Sequence, residues 1–530
     1  MTRVVLGVAV VLYLCGTLAC LDRFPAVSQD EPWIASSGYK LATAGALGSD
    51  LFSGYHGMDR HHFVQMPVYP VLQAALFRMF GLGVVQMRAL SVVFGLALLL
   101  VTYGIGREIG GERLGVVAAA LTVVQPLTAP TAVRPIGILL LDSARLNRYD
   151  IAVPVFGLAA LWVVLRKAPG RRSTSYLLAG CLAGLSGLSH LYGAFWLPTL
   201  IAFVALSGGL TRSTFRAAGL LIAGFALVWL PWAIWVGLNW SDYVAQMRTV
   251  GSRFAVFSPA FYHMNVISGD GPMSIGWLAQ TLRGLPARRV GAWTLAIAAP
   301  IATWLLARRG HARRAGELAL LTASAIQCLL FVTLLEVKSI NYMIALWPLG
   351  ALMQAWLAVW LWDRRRAALR GLIVAVAAAV VIEGGVRMFA AARDARHTTS
   401  YDGFARQVAG CIPTGALVLG FQHYWLGLHD FPYRTWLLPL NMANPAFETA
   451  PLPIDVALER INPNVVLMDR NARQLFEETA NPSHPYHYLA VGFDAYRQQR
   501  SLLPRCVVRD ATYGTIEVYE VGSLAKRGEP

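Results

Sequence analysis

The stretch ALSVVFGLALLLVTYGIG, residues 89–106, runs for 18 residues without a charge. A helix of that length rises about 27 Å, close to the thickness of the hydrocarbon core of a bilayer. Similar stretches recur until about residue 390, and only 14% of the 530 residues are charged, against about 25% in soluble domains. The sequence therefore predicts a polytopic α-helical membrane protein.

Eleven segments qualify as candidate spans, with the third expected to be a span followed by a short or broken helix. Arginines are concentrated in alternate connections between these spans, and the positive-inside rule makes that side cytoplasmic. The first loop, 22–82, and the loop 239–286 then lie on the outer side of the cell membrane. The candidate spans are 3–21, 83–106, 114–141, 150–166, 176–190, 193–208, 217–238, 288–307, 317–335, 340–362 and 371–390.

The chain changes character near residue 395, where short alternating segments and turn signals replace the apolar stretches. This division predicts a membrane domain over 1–394 and an extracytoplasmic α/β soluble domain over 395–530. Cys411 and Cys506 flank the second domain, so an oxidising compartment would allow a disulfide between them. The sequence leaves that pairing open.

The net charge of +16 does not indicate nucleic-acid binding, because the arginines are spread over short gaps between apolar segments instead of clustering on a soluble face. The sequence also lacks a P-loop, a Rossmann glycine fingerprint and a nucleophile elbow. Nucleotide-dependent and serine-hydrolase chemistries therefore have no support.

An acidic pair, Asp30-Glu31, follows the first span by a few residues. Its first interpretation is structural, because acids beside Pro32 suit the start of an amphipathic helix, here over about 32–46. The second is catalytic, because a carboxylate at the mouth of a membrane cavity can act as a general base toward a hydroxyl group.

A second cluster combines two arginines with an acid, Arg145, Arg148 and Asp150, at the outer end of a span. It fits either a helix cap with arginines that bind lipid headgroups or a site that holds a phosphate and orients a sugar.

A third cluster contains Lys338 and Tyr342, four residues apart on the same side. A snorkelling lysine with an interfacial tyrosine would explain it, and so would contact with a phosphate. Only four of the 45 basic residues are lysines, which favours the phosphate.

Several remaining residues are weaker candidates. His190, at a turn between apolar segments, and Asp59 are possible accessory residues. His56, Asp59, His61 and His62 could supply metal ligands, but their spacing matches no closed zinc site, and no metal is predicted.

The first loop resembles that of the protein O-mannosyltransferase and aminoarabinose transferase superfamily, a group of GT-C type membrane glycosyltransferases. The resemblance is carried by Asp30-Glu31, by MPVYPVL at 66–72 and by LFRMFG at 76–81. Arg145–Asp150 is similar to the superfamily's Arg-x-Asp entry to a later span. Lys338–Pro348 is similar to its Lys/Arg-x-x-Tyr-apolar-Pro segment.

This resemblance implies a GT-C fold with about 11–13 transmembrane helices and transfer of a sugar from a polyprenyl-phosphate donor to a hydroxyl acceptor, with inversion and without a cofactor. Asp30 is then expected to be the base, with Glu31 as a positioning residue. Asp150 is expected to orient the sugars or to support the base. The donor phosphate would contact Lys338, Tyr342 and either Arg145 or Arg148.

Two other functions remain open at this point. A transporter or flippase of a polyprenyl-linked sugar would also have charges within its spans, although no inverted repeat is evident. A non-catalytic envelope assembly protein, working through its C-terminal domain, is the other alternative.

Overall fold

The fold is described from a computed structural model, which covers most of the chain. The described residues are 2–166, 172–250, 256–268, 274–276, 286, 289–310, 314–336 and 339–524. Lys338, one of the predicted phosphate ligands, lies outside them.

Six of the described helices are long and apolar enough to cross a membrane. The chain is a multi-pass membrane protein with the helical fold class expected from its sequence. The six are Val84–Gly110, Leu191–Gly208, Arg212–Leu238, Val290–Arg308, Ala315–Leu334 and Ala367–Ala395, where Leu191–Phe195 is a 3-10 turn before Trp196–Gly208. Further helices of this part are Thr2–Leu18, Val68–Phe80, Glu112–Val124, Leu139–Ala144, Ala152–Leu165, Arg172–Ser189 and Trp347–Trp362.

Several predicted spans are interrupted in the structure. The predicted span 114–141 forms a helix only to Val124, because Pro126, Pro130 and Pro135 follow and proline cannot continue a helix. The chain returns to a helix at Leu139–Ala144. Two other spans begin with 3-10 turns, Leu191–Phe195 and Ile340–Ala345, and these turns carry tyrosines to the candidate site.

The first loop contains the helix Asp30–Ala44, which ends at Gly45 in the left-handed conformation (φ 71°), and a short 3-10 turn, Asp50–Phe52. This helix packs against Val68–Phe80 at very short range. A Cβ on Gly38 would lie 2.9 Å from Cβ of Gln73, so a larger residue would push the two helices apart. The close contact fixes the position of the residues at the start of the loop helix.

The C-terminal part contains a five-stranded mixed sheet. The strands are β1 (Val418–Gly420), β2 (Tyr433–Thr435), β3 (Val465–Met468), β4 (Arg500–Asp510) and β5 (Gly514–Leu524), and their order in the sheet is β2-β1-β3-β5-β4. β1 is parallel to both β2 and β3, whereas β5 is antiparallel to β3 and β4. The helices around it are Tyr401–Ala409, Trp425–Leu428, Leu437–Met442, Ile454–Ile461, Arg470–Thr479 and His487–Gln499.

Cys411 and Cys506 form a disulfide, with their Cα atoms 6.1 Å apart. The bond ties the segment after the Tyr401–Ala409 helix to β4 across 95 residues. The pairing that the sequence left open is therefore present.

The first loop and the C-terminal domain share one hydrophobic core, which includes Leu51 and Phe52 of the loop and Val418 of β1. Polar contacts reinforce it. The backbone N–H of Val27 donates to the hydroxyl of Tyr513 over 3.3 Å, and Nη1 of Arg434 donates to the carbonyl of Asp50 over 3.1 Å. The loop is thus held between the membrane helices and the C-terminal domain.

Candidate active site

The two neighbouring acids of the first loop face different surroundings. The Glu31 side chain is fully buried and receives two hydrogen bonds from Arg88, Nε to Oε2 and Nη2 to Oε1, each 2.8 Å long. It also accepts the N–H of Ser28 over 3.0 Å, as in a helix cap. By contrast, 54% of the Asp30 side chain is exposed. Only Asp30 is accessible to a substrate.

Asp30 meets the second cluster through Arg148. Nη1 of Arg148 lies 2.5 Å from Oδ2 of Asp30, while its Nε and Nη2 each lie 2.8 Å from Oδ2 of Asp150. Arg148 and Asp150 are both buried. One guanidinium therefore bridges two carboxylates that are 120 residues apart in the chain.

Asn147 links the segment that carries Arg148 to the first-loop helix. Its backbone N–H donates to Oε2 of Glu31 over 3.0 Å, and its side chain donates to the Glu31 carbonyl over 2.8 Å. Its Oδ1 accepts hydrogen bonds from Tyr69 and Gln73. The loop helix and the 145–150 segment are therefore locked together by buried polar contacts.

Aromatic side chains line the cluster next to Asp150. His190 lies 5.3 Å from Tyr149, 4.2 Å from Tyr192 and 5.0 Å from Tyr342, measured between ring centroids. The Tyr192 hydroxyl also donates to Oδ1 of Asp150 over 3.3 Å. His190 and Tyr342, both predicted from the sequence, thus lie with the Arg148 cluster.

Arg145 lies elsewhere. Its two terminal nitrogens donate to the carbonyls of Gly16, Thr17, Ala19 and Phe24, with distances from 2.6 to 3.3 Å. Those carbonyls belong to the end of the first helix and the turn after it. Of the two arginines that the sequence offered for the phosphate, only Arg148 contacts the acidic residues of the cluster.

Each histidine side chain of the first loop contacts a different partner. His56 pairs with Glu448 of the C-terminal domain over 2.7 Å, and His61 pairs with Asp242 of the helix Trp240–Arg248 over 3.0 Å. His62 is buried and contacts Ser37. Across the described residues, no group of three or more His, Cys, Asp or Glu side chains could hold a metal ion.

Asp59, the other accessory candidate, lies on the side of the first loop that faces the C-terminal domain. It interacts electrostatically with Arg434 there, and none of the contacts described for Asp30, Arg148 and Asp150 involves it. Burial lowers the pKa of Arg434, while Asp50 and Asp59 oppose that shift. The placement of Asp59 therefore favours a role in joining the two parts of the protein.

Sequence reasoning missed three residues of this region: Arg88, Tyr192 and Arg134. Arg88 carried a readable signal, since it is a lone arginine within a predicted span. Arg134 donates to Oδ1 of Asn341 over 3.1 Å and interacts electrostatically with Arg148. Arg134 carried the same signal, because it is the lone charged residue of the predicted span 114–141.

Comparisons with known proteins agree with this architecture. Residues 64–235 match the family described as dolichyl-phosphate-mannose-protein mannosyltransferase. No curated protein sequence matches the chain. The matched segment includes Arg148, Asp150, His190 and Tyr192, and it excludes Asp30 and Tyr342.

Two solved structures illustrate the likeness in fold. ArnT from Cupriavidus metallidurans bound to undecaprenyl phosphate has a TM-score of 0.65 at 15% identity, covering 99% of this chain and 98% of that chain. The archaeal oligosaccharyltransferase AglB from Archaeoglobus fulgidus, in complex with an inhibitory peptide and a dolichol-phosphate, has a TM-score of 0.59 at 14% identity, covering 100% of this chain and 75% of that chain. The GT-C fold expected from the sequence is confirmed.

Proposed function

We propose, from the premise of the GT-C fold, that this chain is an inverting glycosyltransferase. It would move a sugar from a polyprenyl-phosphate donor to a hydroxyl acceptor on the outer face of the cell membrane. The observation that carries the proposal is the Arg148 guanidinium, which bridges the exposed Asp30 and the buried Asp150. A base and a cation for a phosphate thus lie side by side.

The proposed reaction is a single displacement. The acceptor oxygen forms a bond to the anomeric carbon while the bond from that carbon to the phosphate oxygen breaks, and the phosphate leaves with the electron pair. Asp30 takes the proton from the acceptor hydroxyl, a role typically worth about 10² to 10⁴ in rate. Its half-exposed carboxylate is open to a substrate, whereas Glu31 is enclosed by Arg88.

Arg148 would stabilise the charge that develops on the leaving phosphate, together with Lys338 and Tyr342. Asp150 would hold the guanidinium of Arg148 in place through the two 2.8 Å contacts. Glu31 would position Asp30 by anchoring the start of the loop helix, and Arg145 would stabilise the turn after the first helix. The proposed step uses no cofactor.

The lipid-linked donor is supported by the relatives of similar fold, since ArnT was solved with undecaprenyl phosphate and AglB with a dolichol-phosphate. The outer-face orientation is supported by the arginines in alternate connections, together with the Cys411–Cys506 disulfide, which requires an oxidising compartment.

The test is the variant Asp30→Asn, studied in proteoliposomes with a panel of polyprenyl-phosphate hexoses and pentoses as donors and a panel of hydroxyl-bearing lipids, peptides and glycans as acceptors. Release of free polyprenyl phosphate measures turnover, and binding of undecaprenyl phosphate measures the donor site. We expect turnover to fall at least 100-fold while binding changes less than twofold. Asp494→Asn, an exposed aspartate on the helix His487–Gln499, is the matched control.

Full turnover by Asp30→Asn would contradict the assignment of the base. A wild-type protein that moves a polyprenyl-linked sugar between the leaflets without cleaving it would instead support the transporter reading and overturn the glycosyltransferase.

A further inference from the structure

The connection 125–138, between two helices of the membrane part, forms a tightly bonded turn. The N–H of Leu127 donates to the carbonyl of Gly137 over 2.8 Å. The carboxylate of Asp142 accepts the N–H of Ile136 over 3.1 Å and that of Gly137 over 2.7 Å. Asp142 is fully buried, so these contacts are shielded from water. The turn therefore has a fixed shape before a ligand binds.

The tip of this turn carries Arg134. Its backbone N–H donates to Oγ1 of Thr131 over 3.0 Å, and its carbonyl accepts the N–H of Thr131 over 2.8 Å. The side chain extends away from the tip, and its Nη1 donates to Oδ1 of Asn341 over 3.1 Å. Asn341 directly precedes Tyr342 in the 3-10 turn Ile340–Ala345. Arg134 thus reaches the segment that supplies Tyr342, one of the predicted phosphate ligands.

Arg134 and Arg148 lie close to each other although they come from different segments. Each of them interacts electrostatically with the other, and Tyr342 interacts in the same way with Arg148. Like charges repel one another, so the proximity of two arginines costs free energy unless an anion compensates it. The question is therefore which of the two guanidinium groups still lacks a negative partner.

The two arginines differ in how far their charge is already compensated. Arg148 contacts both carboxylates of its bridge through all three of its side-chain nitrogens. In the described part of the chain, Arg134 forms no ion pair with a carboxylate, and its hydrogen-bond partner is the neutral amide of Asn341. Asp142 attracts it electrostatically, but both Asp142 oxygens accept backbone N–H groups. Arg134 is only half-buried, and a guanidinium has five N–H donors, so most of its donors are open to a ligand.

We propose that Arg134 binds the phosphate of the lipid-linked donor. The inference rests on the proposed function, because it takes that donor to be a polyprenyl phosphate. A guanidinium donates two parallel, charge-assisted hydrogen bonds to phosphate oxygens, and the fixed turn presents this one beside Arg148 and Tyr342. Arg134 contributes affinity for the phosphate as soon as the donor binds. Its loss therefore weakens binding of the donor more than it slows the chemical step.

The test uses the full-length protein in detergent micelles and needs no sugar donor. Native mass spectrometry measures binding of undecaprenyl phosphate and of undecaprenol, which has the same chain without the phosphate. Arg134→Gln should weaken undecaprenyl phosphate about tenfold, as expected for the loss of a charge-assisted hydrogen bond, and leave undecaprenol within twofold. Arg134→Lys keeps the charge without the planar fork and should weaken it about threefold. Arg393→Gln, at an exposed arginine in the last turn of the helix Ala367–Ala395, is the matched control and should bind like wild type.

Two controls separate this proposal from the proposed function and from a structural role. Asp30→Asn should bind undecaprenyl phosphate within twofold of wild type even when it has lost all turnover, so a failure of the assigned base leaves the role of Arg134 standing. Thermal unfolding identifies the variants that remain folded. The proposal is overturned if wild type binds undecaprenyl phosphate no better than undecaprenol, or if the folded Arg134 variants bind it like wild type. It is also overturned if they lose undecaprenol equally, or if phosphatidylglycerol at equal concentration displaces undecaprenyl phosphate, because Arg134 would then be an ordinary headgroup contact.

Discussion

Arg88 and Glu31 form a fully buried ion pair with two parallel hydrogen bonds of 2.8 Å. Arg88 also donates from Nη1 to the carbonyl of Leu21 and from Nη2 to the carbonyl of Pro25, both over 2.9 Å. One arginine from the helix Val84–Gly110 therefore holds both the turn after the first helix and the start of the first-loop helix. Its partner Glu31 stands directly beside the exposed Asp30.

The first prediction concerns the contrast between these adjacent acids. Glu31→Gln should lower the free energy of unfolding by about 3–5 kcal/mol, because it leaves the buried charge of Arg88 without its partner. Asp30→Asn should change stability much less, since its side chain is half-exposed. Thermal unfolding in detergent compares the two variants. Equal melting temperatures for Glu31→Gln and wild type would contradict the anchoring role.

The second prediction concerns Arg148. Arg148→Lys keeps the positive charge, but a lysine cannot contact Asp30 and Asp150 with a planar fork of donors. We expect turnover to fall at least tenfold, measured as release of polyprenyl phosphate. Arg497→Lys, an exposed arginine of the C-terminal domain, is the control. If Arg148→Lys turns over like that control, the bridge is not required for catalysis.

The third prediction concerns the disulfide. Replacing Cys411 by Ser should destabilise the C-terminal domain by about 2–5 kcal/mol, because the bond closes a long loop in the unfolded chain. Cys506→Ser and the double variant should have the same effect as the single one. Cys181→Ser, at a free cysteine, is the control. A double variant clearly less stable than either single variant would argue against the pairing.

The fourth prediction concerns pH. Burial lowers the pKa of His62 to about 4, against about 6.5 in the unfolded chain. Below pH 6.5 the unfolded chain binds a proton that folded His62 rejects, so its contribution to stability is complete above pH 6.5 and is lost as pH falls toward 4. The loss between pH 7 and 5 is about 2 kcal/mol.

His62→Asn, which can still hydrogen-bond to Ser37, should reduce this acid sensitivity in thermal unfolding measured from pH 7 to 5. Some sensitivity should remain, because burial also lowers the pKa of His423 to about 4. An unchanged pH profile in His62→Asn would show that His62 does not titrate in this way.

The sequence predicted most of the helices because hydrophobic length is a strong local signal. Local sequence also accounts for the helix Ile454–Ile461, whose apolar residues recur at helical spacing, and for the strand Val465–Met468, which is a short continuous apolar run. The broken helices were harder to predict, because the 3-10 turns at Leu191–Phe195 and Ile340–Ala345 depend on packing between distant segments.

The candidate site was predictable as a set of residue types but not as a geometry. Asp30, Arg148 and Asp150 could be named from local charge at span ends, yet their bridge joins two segments far apart in sequence. The same limit applied to Arg145, which looked equivalent to Arg148 in sequence. Only the tertiary structure shows that Arg145 binds carbonyls at the end of the first helix, whereas Arg148 contacts Asp30 and Asp150.

The hydrogen bond from Val27 to Tyr513 spans 486 residues of the chain. During synthesis the ribosome therefore delivers the first loop long before the strands that complete its core. The first loop cannot pack against the C-terminal domain until β5 has been translated. In the proposed orientation, that domain must also have crossed the membrane. A chain stopped before that point would carry every residue of the Asp30, Arg148 and Asp150 cluster and would still lack the C-terminal half of the core that holds the first loop.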